Sequence, residues 1–276
     1  MTQLEKFGDA RRILGYAWLA VALYAVSFIC LLLLSPKLVD PSGKPIGYDF
    51  ITFWSAGKLA LEGRAAAAFD MQAIFELQRA AVPSSDMIFL WHYPPTFQLV
   101  AALLALLPYL VSYFAFMALS IALYLLVMKK LLPWKDAGIL LLAYPGVFIC
   151  LLHGQNSLVS AALLGGAILA LDRRPMLAGV CIGLLAYKPQ LGALFPIVLA
   201  LTGRWLTFLT AGATAGAFCA LASYVFGVDI WAVTLANTGV IREVMETGQL
   251  PWAKMPSGFI FLRMLGAPQS IAYFGQ

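Results

Sequence analysis

What most constrains this chain is where charge is missing. Residues 13–34, 97–128, 137–171, 175–187, 189–203 and 205–228 contain no Asp, Glu, Lys or Arg. A helix needs about 20 apolar residues to cross the hydrocarbon core of a bilayer, and 13–34 meets that length. The pattern specifies an all-α integral membrane protein. The first run is longer than the apolar part of a cleaved signal peptide and lacks a small-residue cleavage site, so it reads as an uncleaved signal anchor.

The basic residues stand between the apolar runs, as Lys6, Arg11 and Arg12, then Lys129, Lys130 and Lys135, then Arg173 and Arg174, then Arg204. With the N-terminus in the cytoplasm this is the positive-inside pattern. The net charge of +5 therefore reflects topology and does not indicate a nucleic-acid partner. Cys30, Cys150, Cys181 and Cys219 are scattered through apolar runs without ligand spacing and read as small packing residues.

The expected spans are 13–34, 109–128, 137–152, 157–171, 175–187, 190–203 and 205–226, with outer loops at 35–108 and 228–276. The first loop is long. Two short helices are expected in it, 50–62 stopped by Gly63 and 71–81 ahead of Pro83. Residues 96–107, bounded by Pro95 and Pro108, are too short to span and read as a helix lying in the outer interface. Residues 175–203 form either one long helix with Lys188 inside the bilayer, or two short ones meeting at Lys188 and Pro189. A residue before proline is biased out of the helical region, which favours the break. Discontinuous helices are tolerated where they line a cavity. Gly212 and Gly216 form a small-xxx-small pair, a mark of close helix packing in membranes.

This topology gathers Asp49, His92, Gln155, Asn156, Lys188 and Lys254 at outer helix ends or outer loops. Only 11% of the chain is charged, and polar groups near membrane depth are costly unless they face a cavity or a partner. Each residue also has a plainer reading. Asp49 suits the N-cap of a helix starting at Phe50. Lys188 can snorkel to the headgroups. His92, in WHYPP, fits an interfacial aromatic belt. HGQN (153–156) can be a polar turn, and Ser257 in KMPSG can cap a helix.

Together, an outer carboxylate and an outer cation suit sugar transfer from a lipid phosphate. One Asp can take the acceptor's hydroxyl proton. A cation such as Lys188 can stabilise the departing phosphate, and an apolar groove can hold the polyprenyl tail. No metal or other cofactor is required, because a phosphate monoester leaving group bears less charge than a nucleotide diphosphate. Two other classes remain open. One is a transporter or flippase that binds an anionic substrate at Lys188. The other is a non-catalytic scaffold or remnant. The long outer loop carrying Asp49 favours the enzyme.

Five segments occur in order: YDFITFWSAGKLALEGRAAAAFD, HYPPTFQLVAALLALLPY, GQNSLVSAALLGGAILAL, AGVCIGLLAYKPQLG and KMPSGFIFLRMLGAP. Over residues 47–268 the chain resembles the polyprenol-phosphate-mannose-dependent α-(1→2)-mannosyltransferases of glycosyltransferase family 87, which have the GT-C fold. The resemblance implies a multi-span helical bundle with a long first outer loop. It implies Asp49 as the acceptor-activating base, with Lys188 and the His92 region near the donor phosphate. His92, Tyr93, Gln155, Asn156, Lys188, Gln190, Lys254 and Ser257 are the expected donor- and acceptor-binding residues. The implied partners are a polyprenyl-phosphate sugar, a glycan or glycolipid acceptor, and membrane lipid. The implied location is the bacterial inner membrane, with the active site outside. Family members are longer and have more membrane helices, so the chain is expected to be truncated at its C-terminus.

Overall fold

The computed structural model describes residues 3–248, Trp252, Met255 and 257–275, with side chains from residue 9 onward. The chain is 75% helical, and the described residues form no strand. In order the helices are α1 (Gln3–Leu33), α2 (Phe50–Leu61), α3 (Met71–Ala81), α4 (Pro95–Leu104), α5 (Tyr109–Leu131), α6 (Ala137–Ala143), α7 (Pro145–His153) and α8 (Ser157–Ala170). They continue with α9 (Pro175–Leu184), a 3-10 turn at Leu185–Tyr187, α10 (Pro189–Gly192), α11 (Phe195–Leu201), α12 (Trp205–Phe226), α13 (Ile230–Glu246), α14 (Gly258–Met264) and α15 (Gln269–Phe274).

Among the described residues, three helical segments are long and apolar enough to cross a membrane: Asp9–Leu33 within α1, all of α5, and all of α12. They leave large apolar side chains uncovered, among them Leu19, Leu23, Leu119, Leu126, Leu209 and Leu221. Such a surface suits lipid and is unfavourable in water. The protein is an all-α membrane protein.

The region between α1 and α5 is a folded layer and contains the best-packed part of the molecule. Along α2, Phe50, Ile51, Phe53, Ala56 and Leu59 are at most 2% exposed. Phe53 meets Trp91, Tyr93, Phe97 and Phe116 edge to face. Full burial of each such ring is worth about 1.5–3 kcal/mol. Gln98 of α4 donates its amide to Ala65 O at 2.8 Å and Ala56 O at 3.3 Å, which ties α4 to α2 and the turn that follows it.

One helix expected from the sequence is interrupted, and a break left open at Lys188 is present. Residues 137–152 are not one continuous helix: the chain breaks at Tyr144 (φ −62°, ψ 121°). Pro145 causes this, since it lacks an N–H and biases the preceding residue toward extended backbone. The break frees the carbonyl of Ala143, which accepts a hydrogen bond from the Tyr24 hydroxyl of α1 at 3.2 Å. The second break is at Lys188 (φ −135°, ψ 72°), before Pro189.

The close helix contact lies elsewhere than Gly212 and Gly216. A Cβ added at either would meet nothing within 4 Å. The small residues that matter are Gly179 and Gly183 on α9. A Cβ there would lie 2.7 Å from Thr207 O and 2.6 Å from Ala211 O of α12. The small-xxx-small spacing was the right signal, and it works on the facing helix. Residues 228–276, read from sequence as an outer loop, contain α13, α14 and α15.

Candidate active site

The HGQN segment turns the chain between α7 and α8, and its glycine makes the turn possible. Gly154 has φ +73°, and a Cβ there would lie 2.4 Å from Phe50 Cβ. This contact sets the turn against the start of α2. The backbone amide of Asp49 donates to His153 O at 3.0 Å. Tyr113 of α5 donates its hydroxyl to Leu151 O at 2.5 Å.

Asp49 does not cap α2 through its side chain. A capping residue sits in the β region and bends its side chain back to the helix. Asp49 is helical (φ −83°, ψ −33°), and the Ile51 amide bonds Gly47 O at 3.0 Å. The carboxylate turns to the HGQN segment instead. Gln155 donates its Nε2–H to Asp49 Oδ2 at 2.5 Å. His153 Nδ1 lies 3.6 Å from the same oxygen. The other face of that ring system is held by Tyr48, whose hydroxyl is 2.6 Å from His153 Nε2. Burial, then the charges of Asp49 and Asp40, push the Tyr48 hydroxyl up to about 12, so it stays protonated at neutral pH.

Asn156 is fully buried, and neither its Oδ1 nor its Nδ2 is hydrogen-bonded. The Tyr93 hydroxyl lies beside it without reaching hydrogen-bond geometry. A buried amide left without a partner costs about 1–3 kcal/mol, and Tyr93 is the polar side chain placed to interact with it. Tyr93 itself is 6% exposed and belongs to the aromatic layer around Phe53.

His92 and Lys188 complete the group. The charge of Asp49 acts on both, and that of Lys188 acts on His92. His92 is exposed to solvent while its ring stacks on Tyr93 at 4.9 Å. Its Nδ1 lies 3.1 Å from Leu90 O, and burial holds its pKa below the usual value. Lys188 sits on a rigid support. Leu185 and Tyr187 just before it are 0% and 5% exposed. The Tyr187 ring stacks on Phe97, and its hydroxyl pairs with Ser160 at 2.7 Å.

The remaining expected residues have other placements. Gln190 is exposed on α10. Ser257 accepts the Ile260 amide at 3.2 Å and caps α14, as the plainer reading had it. Lys254 lies outside the described residues. His153 was missed as a site residue, although the HGQN segment was noticed. Its position directly before Gly154 was the available signal, because the same turn that delivers Gln155 must also deliver its neighbours.

The sequence profile of glycosyltransferase family 87 matches residues 91–276. The chain belongs to glycosyltransferase family 87. No curated protein and no solved structure matches it. The family 87 match contains His92, His153, Gln155, Asn156 and Lys188, while Asp49 lies before it. A glycosyltransferase moves a sugar from a donor to an acceptor, and the transporter reading is set aside. In this family 87 chain a carboxylate, two imidazoles, a cation and an unsatisfied amide converge from α2, the 83–94 loop, the HGQN turn and the Lys188 break. Such a group can remove a proton, hydrogen-bond a sugar and neutralise a phosphate.

Proposed function

We propose that the protein transfers a hexose, mannose, from a polyprenyl-phosphate sugar to a lipid or glycan acceptor at the outer face of a bacterial inner membrane. The architecture on this reading is GT-C. Asp49 takes the proton of the acceptor hydroxyl. The acceptor oxygen bonds to the anomeric carbon, the carbon–oxygen bond to phosphate breaks, and its electron pair leaves with the polyprenyl phosphate. Lys188 stabilises that charge. His92, Tyr93 and Asn156 are assigned to donor and acceptor binding.

The observation that carries this reading is the placement of Asp49. Its carboxylate is released from helix capping and held by Gln155 beside His153. The connectivity supports this orientation. α5 runs from near Gly47 to Lys129 and Lys130, and α8 runs from Asn156 to Arg173 and Arg174. The basic residues thus cluster at the end away from Asp49, which under the positive-inside rule is the cytoplasmic end.

Asp49→Asn tests the assignment. The amide keeps the shape and removes the proton acceptor, a loss of about a hundred- to ten-thousand-fold in rate. The assay is transfer from polyprenyl-phosphate mannose in membranes at matched expression and thermal stability. A variant keeping more than about half the wild-type rate would sink the catalytic role. A single cysteine at Ser42, with the four native cysteines replaced, tests orientation. It should react with an impermeant thiol reagent on spheroplasts, and labelling only after permeabilisation reverses the orientation.

A further inference from the structure

His153 has a geometry that its role in the turn does not require. Its backbone carbonyl already fixes the turn to Asp49. Its side chain is nonetheless clamped between two groups of the opposite strand of chain, Tyr48 at Nε2 and Asp49 at Nδ1. The two facing side chains are 25% and 27% exposed, so the pair is partly open to solvent and lies outside the packed core.

The chemistry of the two partners selects one protonation pattern. A carboxylate is acceptor-only, so the nitrogen facing it is favoured as N–H. The Tyr48 hydroxyl is protonated and can donate to the other nitrogen. The neutral ring is then an Nδ1–H tautomer, the form less common in a free imidazole. The 3.6 Å separation exceeds a hydrogen bond, and catalytic contacts often tighten only with substrate bound.

We infer that His153 is a positioning residue for Asp49: Tyr48 at Nε2 sets the ring so that Nδ1–H holds the carboxylate in the orientation that receives the acceptor's proton. This rests on Asp49 being the base. Together with Gln155, His153 places two donors on Oδ2. Donors on the charged form keep a carboxylate ionised and fix its plane. After transfer the proton resides on Asp49, and His153 undergoes no net change.

Two measurements on the full chain test this. The first is independent of turnover. The chain has two histidines, so ¹⁵N-histidine labelling in detergent micelles gives a readable spectrum, with His92 assigned by its loss in His92→Gln. His153 is expected as the Nδ1–H tautomer at neutral pH, reverting toward Nε2–H in Tyr48→Phe. An Nε2–H tautomer in the wild type overturns the inference.

The second compares two amides. Asn places its side-chain nitrogen where Nδ1 lies, whereas Gln places it where Nε2 lies. His153→Gln is expected to lower kcat about tenfold more than His153→Asn, since misplacing a catalytic group by about 1 Å costs about a hundredfold. Donor KM should stay within about twofold in both, as expected when an interaction made in the transition state is lost. Equal losses that track thermal stability would show a structural role only. If Asp49→Asn remains active, the base assignment falls and this falls with it. If Asp49→Asn is inactive while His153→Gln keeps the wild-type kcat, only His153 is misassigned.

Discussion

The side-chain amide of Gln155 donates to the carboxylate of Asp49 at 2.5 Å, joining the α7–α8 turn to the start of α2 across 106 residues of sequence. Replacing Gln155 by Leu removes a charge-assisted hydrogen bond, worth about 1.5–3 kcal/mol. It should lower kcat by about tenfold or more while donor KM changes little. Gln155→Glu is the sharper variant. Two carboxylates at this distance share a proton, and one of their pKa values rises strongly. The acid limb of the kcat/KM profile should therefore move to higher pH. An unmoved limb would mean that Gln155 does not contact the catalytic group.

Lys188 sits at a helix break within charge range of Asp49 and His92. A lysine in an apolar stretch costs about 2.5–3.5 kcal/mol on insertion scales unless it has a partner or reaches the interface. Lys188→Gln should raise the apparent KM for the lipid donor, lower kcat, or both. Wild-type kinetics in the variant would leave snorkelling as the role of this side chain.

His92 gives a pH signature. Burial, then the charge of Lys188, lower its pKa, and the Leu90 carbonyl and Asp49 oppose them without restoring 6.5. The folded protein therefore holds fewer protons than the unfolded chain between the folded value and 6.5. Stability is full above 6.5 and falls as pH drops through that window. Between about pH 7.5 and 5.5, the fall in Tm should be smaller in His92→Gln than in the wild type. Because His92 is exposed to solvent, the difference will be modest. Parallel curves for the two proteins would contradict it.

The glycines offer an internal control for the fold. Gly179→Val forces a branched side chain onto α12 and should cost about 1–3 kcal/mol or more through overpacking. Gly212→Val adds a side chain where none would be met. Thermal unfolding in detergent should separate the two clearly, and equal destabilisation would count against the α9–α12 contact.

The helices were legible because charge is so rare. Apolar runs and their prolines placed α2, α3 and α5 close to their observed bounds, and Lys188 before Pro189 signalled a break. Pro145 carried the same signal and was passed over, because the run around it was long enough to look like one span. Choosing the wrong glycine pair had a related cause. Spacing identifies a surface able to pack closely, but the partner surface is set by tertiary contacts. Within the site, rarity of polar residues picked out Asp49, Gln155 and Lys188. The role of His153 was not legible, since it depends on which neighbours Tyr48 and Asp49 bring to its two nitrogens.

The hydrogen bond from Tyr24 to Ala143 bears on how the break is tolerated. The carbonyl at the Pro145 break needs a donor, and bilayer hydrocarbon supplies none. That donor enters the membrane 119 residues earlier, on the anchor helix. The Tyr24 ring also stacks on Phe148 at 4.5 Å, so α1 meets both sides of the break. The defect that Pro145 opens in one helix is thus covered by a side chain from the first helix of the chain.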